Sequence, residues 1–363
     1  MRRIAVIGAG IFGCEISVAL AKSGYDVPLF EKKDEILNGS TTNSVRRLHL
    51  GFHYPRSVET AVQSRLGFRK FMERYPESVD SNFPNYYAIA KEDSKTTTTE
   101  FKAFASAAQI EMSQVPIREL NDIGIDLDKI DSVFEAKEGV ISVERTRDAL
   151  HHELSGLKVR MIFATEVSTA SLDLGIWTLQ NGLGNQLGEF DYVVRATYGL
   201  DSIQLNNVIR PRRNYEHHRT LTLQVTSMMP RIGMTVIDGD FLTVLPVAFE
   251  ESHLIYGPSP SVIEKWTGER DSHSLPTGWG EEVLVAQEKL IARLINWFPD
   301  ARPINIQAQL LGLRTIEHSV EKTDERISQF EVRAPNFIDV LSGKIDHCVD
   351  IASGIEREIG KAF

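Results

Sequence analysis

Two hydrophobic patterns divide the chain. Near both ends, short apolar runs that predict buried strands alternate with helical spacing, as at residues 3–7, 11–22 and 27–30. Between residues 220 and 258 the apolar positions instead form four short, partly alternating runs, which is typical of an antiparallel sheet. The order predicts parallel α/β units at both ends of the chain and an antiparallel block between them.

The same criteria predict the remaining elements. Helical spacing is found at 57–75, 100–108, 144–157 and 281–298, and again from a glycine turn at Gly343 to the C-terminus. Apolar runs predict strands at 86–90, 139–143, 177–180, 192–196, 220–226, 234–237, 241–248, 253–256, 304–311 and 337–341, and one strand or two short ones at 158–167.

The first 35 residues contain a complete dinucleotide-binding βαβ unit. A G-x-G-x-x-G turn joins the first strand to the helix, and Glu31 ends the second strand, where a carboxylate can hold ribose hydroxyls. The first glycine permits the tight turn, the second lets the backbone approach a pyrophosphate, and the third lets the helix pack on the sheet. The pyrophosphate is expected at the helix N-terminus. The predicted contacts of this unit are Gly8, Gly10, Ile11, Phe12, Gly13 and Glu31.

These elements predict an α/β fold, in which a Rossmann-like nucleotide-binding domain is interrupted by an inserted antiparallel-sheet substrate domain. We expect the nucleotide-binding domain at 1–80, 138–212 and 311–363, and the inserted domain at 81–137 and 213–310. A length of 363 residues suits two domains.

Composition excludes several classes of partner. The chain has 40 basic and 50 acidic residues, and its net charge of -10 disfavours binding to nucleic acid or to an anionic membrane. No apolar run has the length of a membrane span and no signal peptide is visible, so we expect a cytoplasmic protein. Cys14 and Cys348 are too few for a disulfide scaffold, and the scattered histidines predict no metal site.

A loop of unusual composition follows the βαβ unit. Residues 38–44 are rich in Gly, Ser, Thr and Asn, and the run V-R-R-L-H-L-G-F-H-Y-P occupies 45–55. This mixture of charged, aromatic and apolar residues suits neither a regular strand nor an amphipathic helix. We interpret it as a functional loop.

In combination, these features resemble the D-amino acid oxidase family of FAD-dependent oxidoreductases, which includes glycine oxidase, sarcosine oxidase and the 2-hydroxyglutarate oxidases. The Glu31-Lys32 pair looks like the acidic-basic pair that the family places against the adenosine ribose of FAD. T-T-N-S at 41–44 with L-H-L-G at 48–51 is similar to the loop beside the flavin ring, in the form found in 2-hydroxyglutarate oxidases.

The resemblance continues along the chain. Val167 matches the position that pairs with the adenine edge, and D-Y-V-V-R-A-T-Y-G at 191–199 looks like the strand that ends in A-T-G, with Tyr198 as an extra residue. L-G-L-R at 311–314 looks like the G-L-R-P element, whose arginine often binds a substrate carboxylate. N-F-I-D-V-L-S-G-K-I-D-H at 336–347 resembles the closing strand and turn before a helix that points at the flavin pyrimidine.

The resemblance therefore implies an FAD cofactor. Beyond the βαβ unit, the contacts it implies are Lys32, Thr41, Thr42, Asn43, Arg47, Leu48, His49, Val167, Ala196, Thr197, Gly343, Lys344, Ile345 and Asp346. Members that tether flavin through cysteine place it near the G-L-R element, where this chain has none, so that linkage is not expected.

Several side chains are candidates for chemistry. His49 suits a base or hydrogen-bond partner for substrate, a covalent tether for flavin, or a structural residue. Arg314 suits a substrate-carboxylate clamp, a structural ion pair, or a flavin contact. Arg46, His53 and Tyr54 are further candidate substrate contacts.

The predicted function is removal of hydride by FAD from a carbon bearing an amine, in an amino acid or amine, with electrons passed to oxygen or another acceptor. We expect a small-molecule substrate, and Arg314 favours an anionic one. One alternative is oxidation of a 2-hydroxy acid, with His49 as base. The others are an NAD-dependent dehydrogenase, since the N-terminal unit alone would serve NAD, and a non-catalytic nucleotide-binding sensor.

Overall fold

The structure, a computed structural model, describes residues 1–198, 203–207, 215–268, 280–317, 326 and 328–361. Within this part of the chain the helices are α1 Ile11–Lys22, α2 Val58–Arg74, α3 Thr98–Ala107, α4 Val143–Gly156, α5 Pro258–Ser261, α6 Glu281–Trp297 and α7 Cys348–Lys361. The strands are β1 Ile4–Ile7, β2 Pro28–Phe30, β3 Arg47–Leu48, β4 Val79–Asp80, β5 Asn85–Ala90, β6 Ser113–Val115, β7 Ile130–Glu135, β8 Gly139–Ile141, β9 Arg160–Ile162, β10 Val167–Asp173, β11 Ile176–Asn181, β12 Gln186–Phe190, β13 Tyr192–Arg195, β14 Gln204–Asn206, β15 Tyr215–Thr226, β16 Gly233–Ile237, β17 Thr243–Pro246, β18 His253–Tyr256, β19 Val262–Gly268, β20 Asn305–Glu317, β21 Gln329–Ala334 and β22 Phe337–Leu341.

A six-stranded sheet in the order β21-β22-β13-β1-β2-β9 organises the nucleotide-binding part. Its strands are parallel except for β21, which pairs antiparallel with β22 at one edge. Helices α1, α2, α4 and α7 form a layer with a common core that includes the fully buried Leu20 and Ile355. A second core holds Phe30 of this sheet and Trp177 of the four-stranded sheet β12-β11-β10-β14. The sheet thus lies between a helical layer and a β layer, as the α/β prediction requires.

A nine-stranded sheet forms the second part. Its order is β19-β15-β18-β17-β16-β5-β7-β6, and β20 pairs with β15. The long antiparallel pair β15–β20 extends from Tyr215 opposite Glu317 to Thr226 opposite Asn305. Buried side chains of α6, such as Leu290 and Leu294, share a core with this sheet. Its strands come from residues 85–135 and 215–317, so the sheet is assembled from two separated segments.

The small sheet β3-β8-β4 lies next to the functional loop. Arg47 of β3 pairs with Val140 of β8, and Val79 of β4 pairs with Ile141. Because β3 has only two residues, the run 45–55 is mostly irregular, in agreement with its interpretation as a loop.

Comparison with the predicted elements shows where local pattern was sufficient. The predicted bounds of α1, β18 and β22 agree with the structure residue for residue, and most others agree within a few residues. The run 158–167, predicted as one or two strands, divides between β9 and the first residue of β10. The segments β4, β6, β12, β14, β19 and β21 were not predicted, because they are short, polar or at sheet edges. β7 was also missed, although it has six residues and lies between β5 and β6.

One predicted domain boundary needs correction. The boundary at 310/311 cuts β20, whose ladder with β15 is continuous through both residues. Since a strand and its partner belong to one sheet, we propose that the inserted domain extends to the end of β20, which places Arg314 in that domain. The boundary at 212/213 lies outside the described residues. Among the described residues, no helix combines the length and apolar content needed to span a bilayer.

Candidate active site

The glycine turn after β1 shows which of its glycines are required by packing. Gly8 has φ +97, and a side-chain carbon there would lie 2.8 Å from the Ala196 carbonyl oxygen. A side-chain carbon at Gly13 would overlap the Gly8 carbonyl oxygen, so the helix and turn touch directly. Gly10 is different, because a carbon there would meet only Thr41 Oγ1, at 3.9 Å. The absence of a side chain at Gly10 therefore leaves space for a ligand.

The N-terminus of α1 is suited to an anion. Its N-cap Gly10 supplies no side-chain hydrogen bond, and no acidic residue lies in the first turn. The Ile11 amide reaches Thr41 Oγ1 only at 3.4 Å. The first-turn amides, from Ile11 and Phe12 onward, and the helix dipole are therefore available to a pyrophosphate next to the open side of Gly10.

Glu31 lies where the carboxyl ends of β1 and β2 meet. Its Oε2 accepts from the Ala9 amide at 2.7 Å and its Oε1 from the Lys33 amide at 3.0 Å. The next residue, Lys32, is exposed. The Thr165 amide donates to the Glu31 carbonyl at 2.9 Å, which brings the segment leading to the buried Val167 to the same edge. The residues expected at the adenosine of FAD are thus neighbours.

The end of β13 completes this edge. The Ala196 amide donates to the Ile7 carbonyl at 2.8 Å, so 196–198 lie beside the glycine turn. Thr197 Oγ1 is buried and has no hydrogen-bond partner among the described residues. Tyr198, the extra residue in the A-T-G pattern, has φ +59, and Gly199 lies outside the described residues.

The loop 38–44 contacts the nine-stranded sheet. Ser40 Oγ donates to the Leu313 carbonyl at 2.9 Å, and a side-chain carbon at Gly312 would lie 2.5 Å from the Asn43 carbonyl oxygen. The Thr42 carbonyl accepts from Arg46 Nε at 3.0 Å, so Arg46 is held by its own loop. The loop predicted to pass beside flavin therefore lies directly against the strand that carries Arg314.

Arg47 and Leu48 have different surroundings from the rest of the loop. The buried Arg47 guanidinium donates to Tyr87 Oη and Thr235 Oγ1 and forms an ion pair with Glu138. Leu48 is fully buried in the core of the helical layer. Sequence reasoning missed Glu138, because an isolated glutamate beside a short apolar run has no motif to distinguish it.

The structure brings four predicted site residues together from two distant segments. The His49 ring centroid lies 5.7 Å from that of Tyr54, and the His53 and Tyr54 centroids are 5.3 Å apart. Lys344 Nζ lies 4.4 Å from the Tyr54 ring centroid. Neither ring nitrogen of His49 has a hydrogen-bond partner among the described residues, although the side chain is only 3% exposed.

Burial and positive charge control the protonation of this cluster. Burial holds the pKa of His49 well below its usual value, and the Lys344 charge lowers it further. The pKa of His53 is also lowered, first by burial and then by Arg47 and Lys344. Both imidazoles are therefore neutral at pH 7, and each retains a lone pair for a proton or a hydrogen bond.

The turn before α7 is held by two buried side chains. Ser328 Oγ accepts from the Gly343 amide at 2.7 Å and the Lys344 amide at 3.3 Å, and it lies 2.9 Å from His347 Nδ1. Burial lowers the pKa of Lys344 to about 8 and raises the pKa of Asp346, while the charges of these two groups oppose both shifts. Both Asp346 carboxyl oxygens are buried without a hydrogen-bond partner among the described residues, and Ile345 is partly buried between these two residues.

Arg314 is positioned by side chains of the same sheet. It lies opposite His218 of β15 and donates to His218 Nδ1 from Nε at 3.1 Å and from Nη2 at 2.5 Å. Its Nη1 donates to Tyr256 Oη at 3.3 Å. His218 in turn contacts the Glu216 carboxylate through Nε2. Sequence reasoning did not identify Tyr256 or Glu216, because only the fold brings them to Arg314.

The profile of the FAD dependent oxidoreductase family matches residues 3–338. The chain belongs to this family. It is an FAD-dependent oxidoreductase, and FAD, not NAD, is its cofactor, so the alternatives of an NAD-dependent dehydrogenase and of a non-catalytic sensor are wrong.

Relatives and solved structures agree with this assignment. The oxidoreductase is 30% identical over 244 residues to "FAD-dependent monooxygenase FPY4" of Fusarium mangiferae, in an alignment that covers 67% of this chain and 60% of that relative. Its fold is similar to glycine oxidase from Geobacillus kaustophilus, with a TM-score of 0.75, 15% identity, and coverage of 99% and 95% of the two chains. It is also similar to the L-α-glycerophosphate oxidase of Mycoplasma pneumoniae, with a TM-score of 0.77, 15% identity, and coverage of 99% and 94%. These likenesses confirm the predicted fold class.

The site of the oxidoreductase fits FAD on three observations. Gly10 leaves open space at an uncapped helix N-terminus, which suits the pyrophosphate. Glu31 lies beside this turn at the expected ribose position. Buried polar atoms of Thr197, His49 and Asp346 lack partners among the described residues, as expected for groups that meet a polar cofactor or its substrate.

Proposed function

We propose that this oxidoreductase oxidises an amine or amino acid that carries an anionic group, at the carbon bearing the nitrogen, and passes the electrons to oxygen or another acceptor. The observation that carries the proposal is the place of Arg314. Its strand lies against the loop predicted to flank flavin, through the contact between Gly312 and Asn43. A planar guanidinium at this point suits a carboxylate, which it can bind in a bidentate manner.

The residues of the chain have separate tasks in this proposal. Arg314 binds the anionic group and so orients the carbon–hydrogen bond toward the cofactor. Bound FAD supplies the acceptor for the hydride. As the carbon–hydrogen electron pair leaves, the nitrogen loses a proton and a carbon–nitrogen double bond forms. The neutral imidazoles of His49 and His53 each have a lone pair for that proton, and the negative charge of a bound anionic substrate would oppose the neighbouring cations that lower their pKa.

The positive groups also favour negative charge at the site. The charges of Lys344 and Arg314 both act on His53, and Arg47 acts on His49 and His53. A buried site with several cations stabilises an anionic substrate and any negative charge that develops on the cofactor. Lys344 stands in the turn that the family resemblance places at the flavin pyrimidine, where its ammonium would contribute most.

Oxidation of a 2-hydroxy acid is the second candidate function. It is favoured by His49, whose buried, neutral ring has no hydrogen-bond partner among the described residues. The lone pair of a neutral amine nitrogen can expel hydride without a base, whereas a hydroxyl must lose its proton to form the carbonyl, so His49→Ala should abolish oxidation of a hydroxy acid. Oxidation of a neutral amine should lose much less.

Anaerobic mixing with single compounds tests the proposal. Amino acids, amines and 2-hydroxy acids are added one at a time, and loss of flavin absorbance is followed. Bleaching by an anionic amine, but not by its neutral amide or by a hydroxy acid, is the expected result. Because relatives of this chain are named FAD-dependent monooxygenases, NADH and NADPH are tested in parallel. Bleaching by a nicotinamide alone, with none by any candidate substrate, would overturn the proposal.

A further inference from the structure

Behind Arg314 lies a buried chain of two polar side chains. Glu216 and His218 stand two residues apart on β15, so both point to the same face of the sheet. Both are almost fully buried, with exposures of 5% and 2%. The His218 ring lies between the Glu216 carboxylate and the Arg314 guanidinium. Lys265 Nζ lies 3.4 Å from Glu216 Oε1, the same oxygen that His218 Nε2 contacts, and adds a second cation beside the carboxylate.

The chemistry of arginine determines the state of His218. A guanidinium has hydrogen-bond donors only. Because Nε and Nη2 of Arg314 both donate to His218 Nδ1, this atom must be the acceptor nitrogen of the ring. The ring proton is then on Nε2, where it donates to the Glu216 carboxylate. A carboxylate that accepts from one imidazole nitrogen makes the other a better acceptor. Glu216 thus strengthens the contact that holds Arg314.

This contact decides which edge of Arg314 is left for a ligand. Nε and Nη2 form one edge of the guanidinium, and both donate to His218 Nδ1. One donor of Nη1 is directed to Tyr256 Oη. One N–H then remains on Nη1 and one on Nη2, so both terminal nitrogens keep a donor for a ligand.

We propose that Glu216 and His218 are positioning residues that hold Arg314 so that its Nη1–Nη2 edge receives the substrate anion. This rests on the proposed function, because it requires Arg314 to bind that anion. His218 acts through Arg314 and does not touch the substrate, so its removal should affect an anionic ligand and spare a neutral ligand of the same shape.

Two substitutions separate the acceptor from the rest of the side chain. His218→Asn places an oxygen near the position of Nδ1 and keeps an acceptor for Arg314, whereas His218→Leu has none. Both variants lose the donor to Glu216, so any destabilisation from that loss is common to the pair. His218→Phe fills the ring volume without an acceptor and replaces the leucine variant if the latter does not retain FAD.

The probes are butanoate and its neutral isostere butanamide, titrated into the FAD-loaded enzyme while the flavin spectrum is followed. We expect the wild-type enzyme to bind butanoate more tightly than butanamide. His218→Leu should weaken butanoate binding by about tenfold to a hundredfold and leave butanamide unchanged, because a hydrogen bond to a charged group is lost. His218→Asn should remain within about threefold of the wild type, since the acceptor is retained.

A double variant tests whether His218 acts through Arg314. In the Arg314→Ala background, His218→Leu should have no further effect on butanoate. An equal loss for both probes, a further loss in the Arg314→Ala background, or an asparagine variant as weak as the leucine variant would overturn the positioning role.

If Arg314→Ala itself leaves the preference for butanoate intact, it is the anion-binding role in the proposed function that fails. If Arg314→Ala abolishes the preference and His218→Leu does not, that role stands and only the positioning role fails.

Discussion

The Arg47 guanidinium lies 3.6 Å from the Glu138 carboxylate, and both side chains are almost completely buried. Glu138 also accepts from the Leu50 amide at 2.7 Å and from Tyr87 Oη at 2.9 Å. Burial raises the pKa of Glu138, and the charge of Arg47 opposes this shift. Arg47 contacts Tyr87 and Thr235 of the nine-stranded sheet, and Glu138 binds the Leu50 amide. The ion pair therefore holds the segment around His49 against that sheet.

Removing one partner of this pair should destabilise the fold. Glu138→Ala leaves a buried guanidinium without its carboxylate, which we expect to lower the free energy of unfolding by about 3–5 kcal/mol. Denaturant unfolding of the FAD-loaded protein measures the change. The control is the double variant Arg47→Met/Glu138→Gln, which removes both charges and keeps an acceptor for the Leu50 amide. It should be more stable than Glu138→Ala, and the reverse order would contradict a role for charge pairing.

Gly10→Val should prevent FAD binding without disturbing the fold. Gly10 has φ -68 and ψ 177, which any residue adopts, and its open side meets only Thr41 Oγ1 at 3.9 Å. The added side chain therefore fills the space proposed for the pyrophosphate. Gly156→Val is the matched control, because that glycine is exposed and has nothing within 4 Å. Full flavin occupancy in a folded Gly10→Val protein would remove this turn from the cofactor site.

Replacement of Arg314 should impair reaction with substrate and spare the flavin. Arg314→Ala is expected to cost about 2–5 kcal/mol of transition-state stabilisation, which corresponds to roughly thirtyfold to several thousandfold in kcat/KM. Arg314→Lys keeps the charge without the planar fork, so it should recover only part of the loss. Arg118→Ala, an exposed arginine of the same domain, is the control. Unchanged flavin reduction in Arg314→Ala, or loss of FAD from it, would assign Arg314 a structural role.

Flavin should be released intact when the protein is denatured. Cys14 and Cys348 are both buried, and burial holds the pKa of each thiol well above its usual value, so neither is a ready thiolate nucleophile. Acid precipitation followed by absorbance of the supernatant tests this. Flavin that remains in the pellet, and that His49→Ala returns to the supernatant, would show a histidyl tether instead.

Stability should decrease in acid partly because of His347. Burial is the main cause that lowers its pKa to about 3, from an unfolded value near 6.5. The unfolded chain therefore binds this proton more readily, and the stabilising contribution is present above pH 6.5 and is lost as the pH falls toward 3. His347→Gln should unfold with a shallower dependence on pH over this interval, as measured by denaturant midpoints. An unchanged slope would show that His347 does not contribute to it.

The sequence by itself determined the elements whose signals are local. The glycines, the helix α1 and the acidic end of β2 follow from one another within 31 residues, because turn geometry and helix periodicity depend on near neighbours. The parallel core and the antiparallel second sheet were therefore predictable, and the family resemblance implied the FAD cofactor. The role of Arg314 stays a prediction that rests on its family motif.

Only the tertiary structure decided which side chains meet. His218 and Arg314 are 96 residues apart, and their contact depends on the register between β15 and β20. Arg47 and Glu138 are also distant in sequence, and no pattern showed that Arg47 would turn toward the second sheet. Strand register and burial are set by the packing of the whole chain, and a shift of one residue would direct His218 to the opposite face. For the same reason the protonation of His49, which depends on burial and on Lys344, became evident only in the folded molecule.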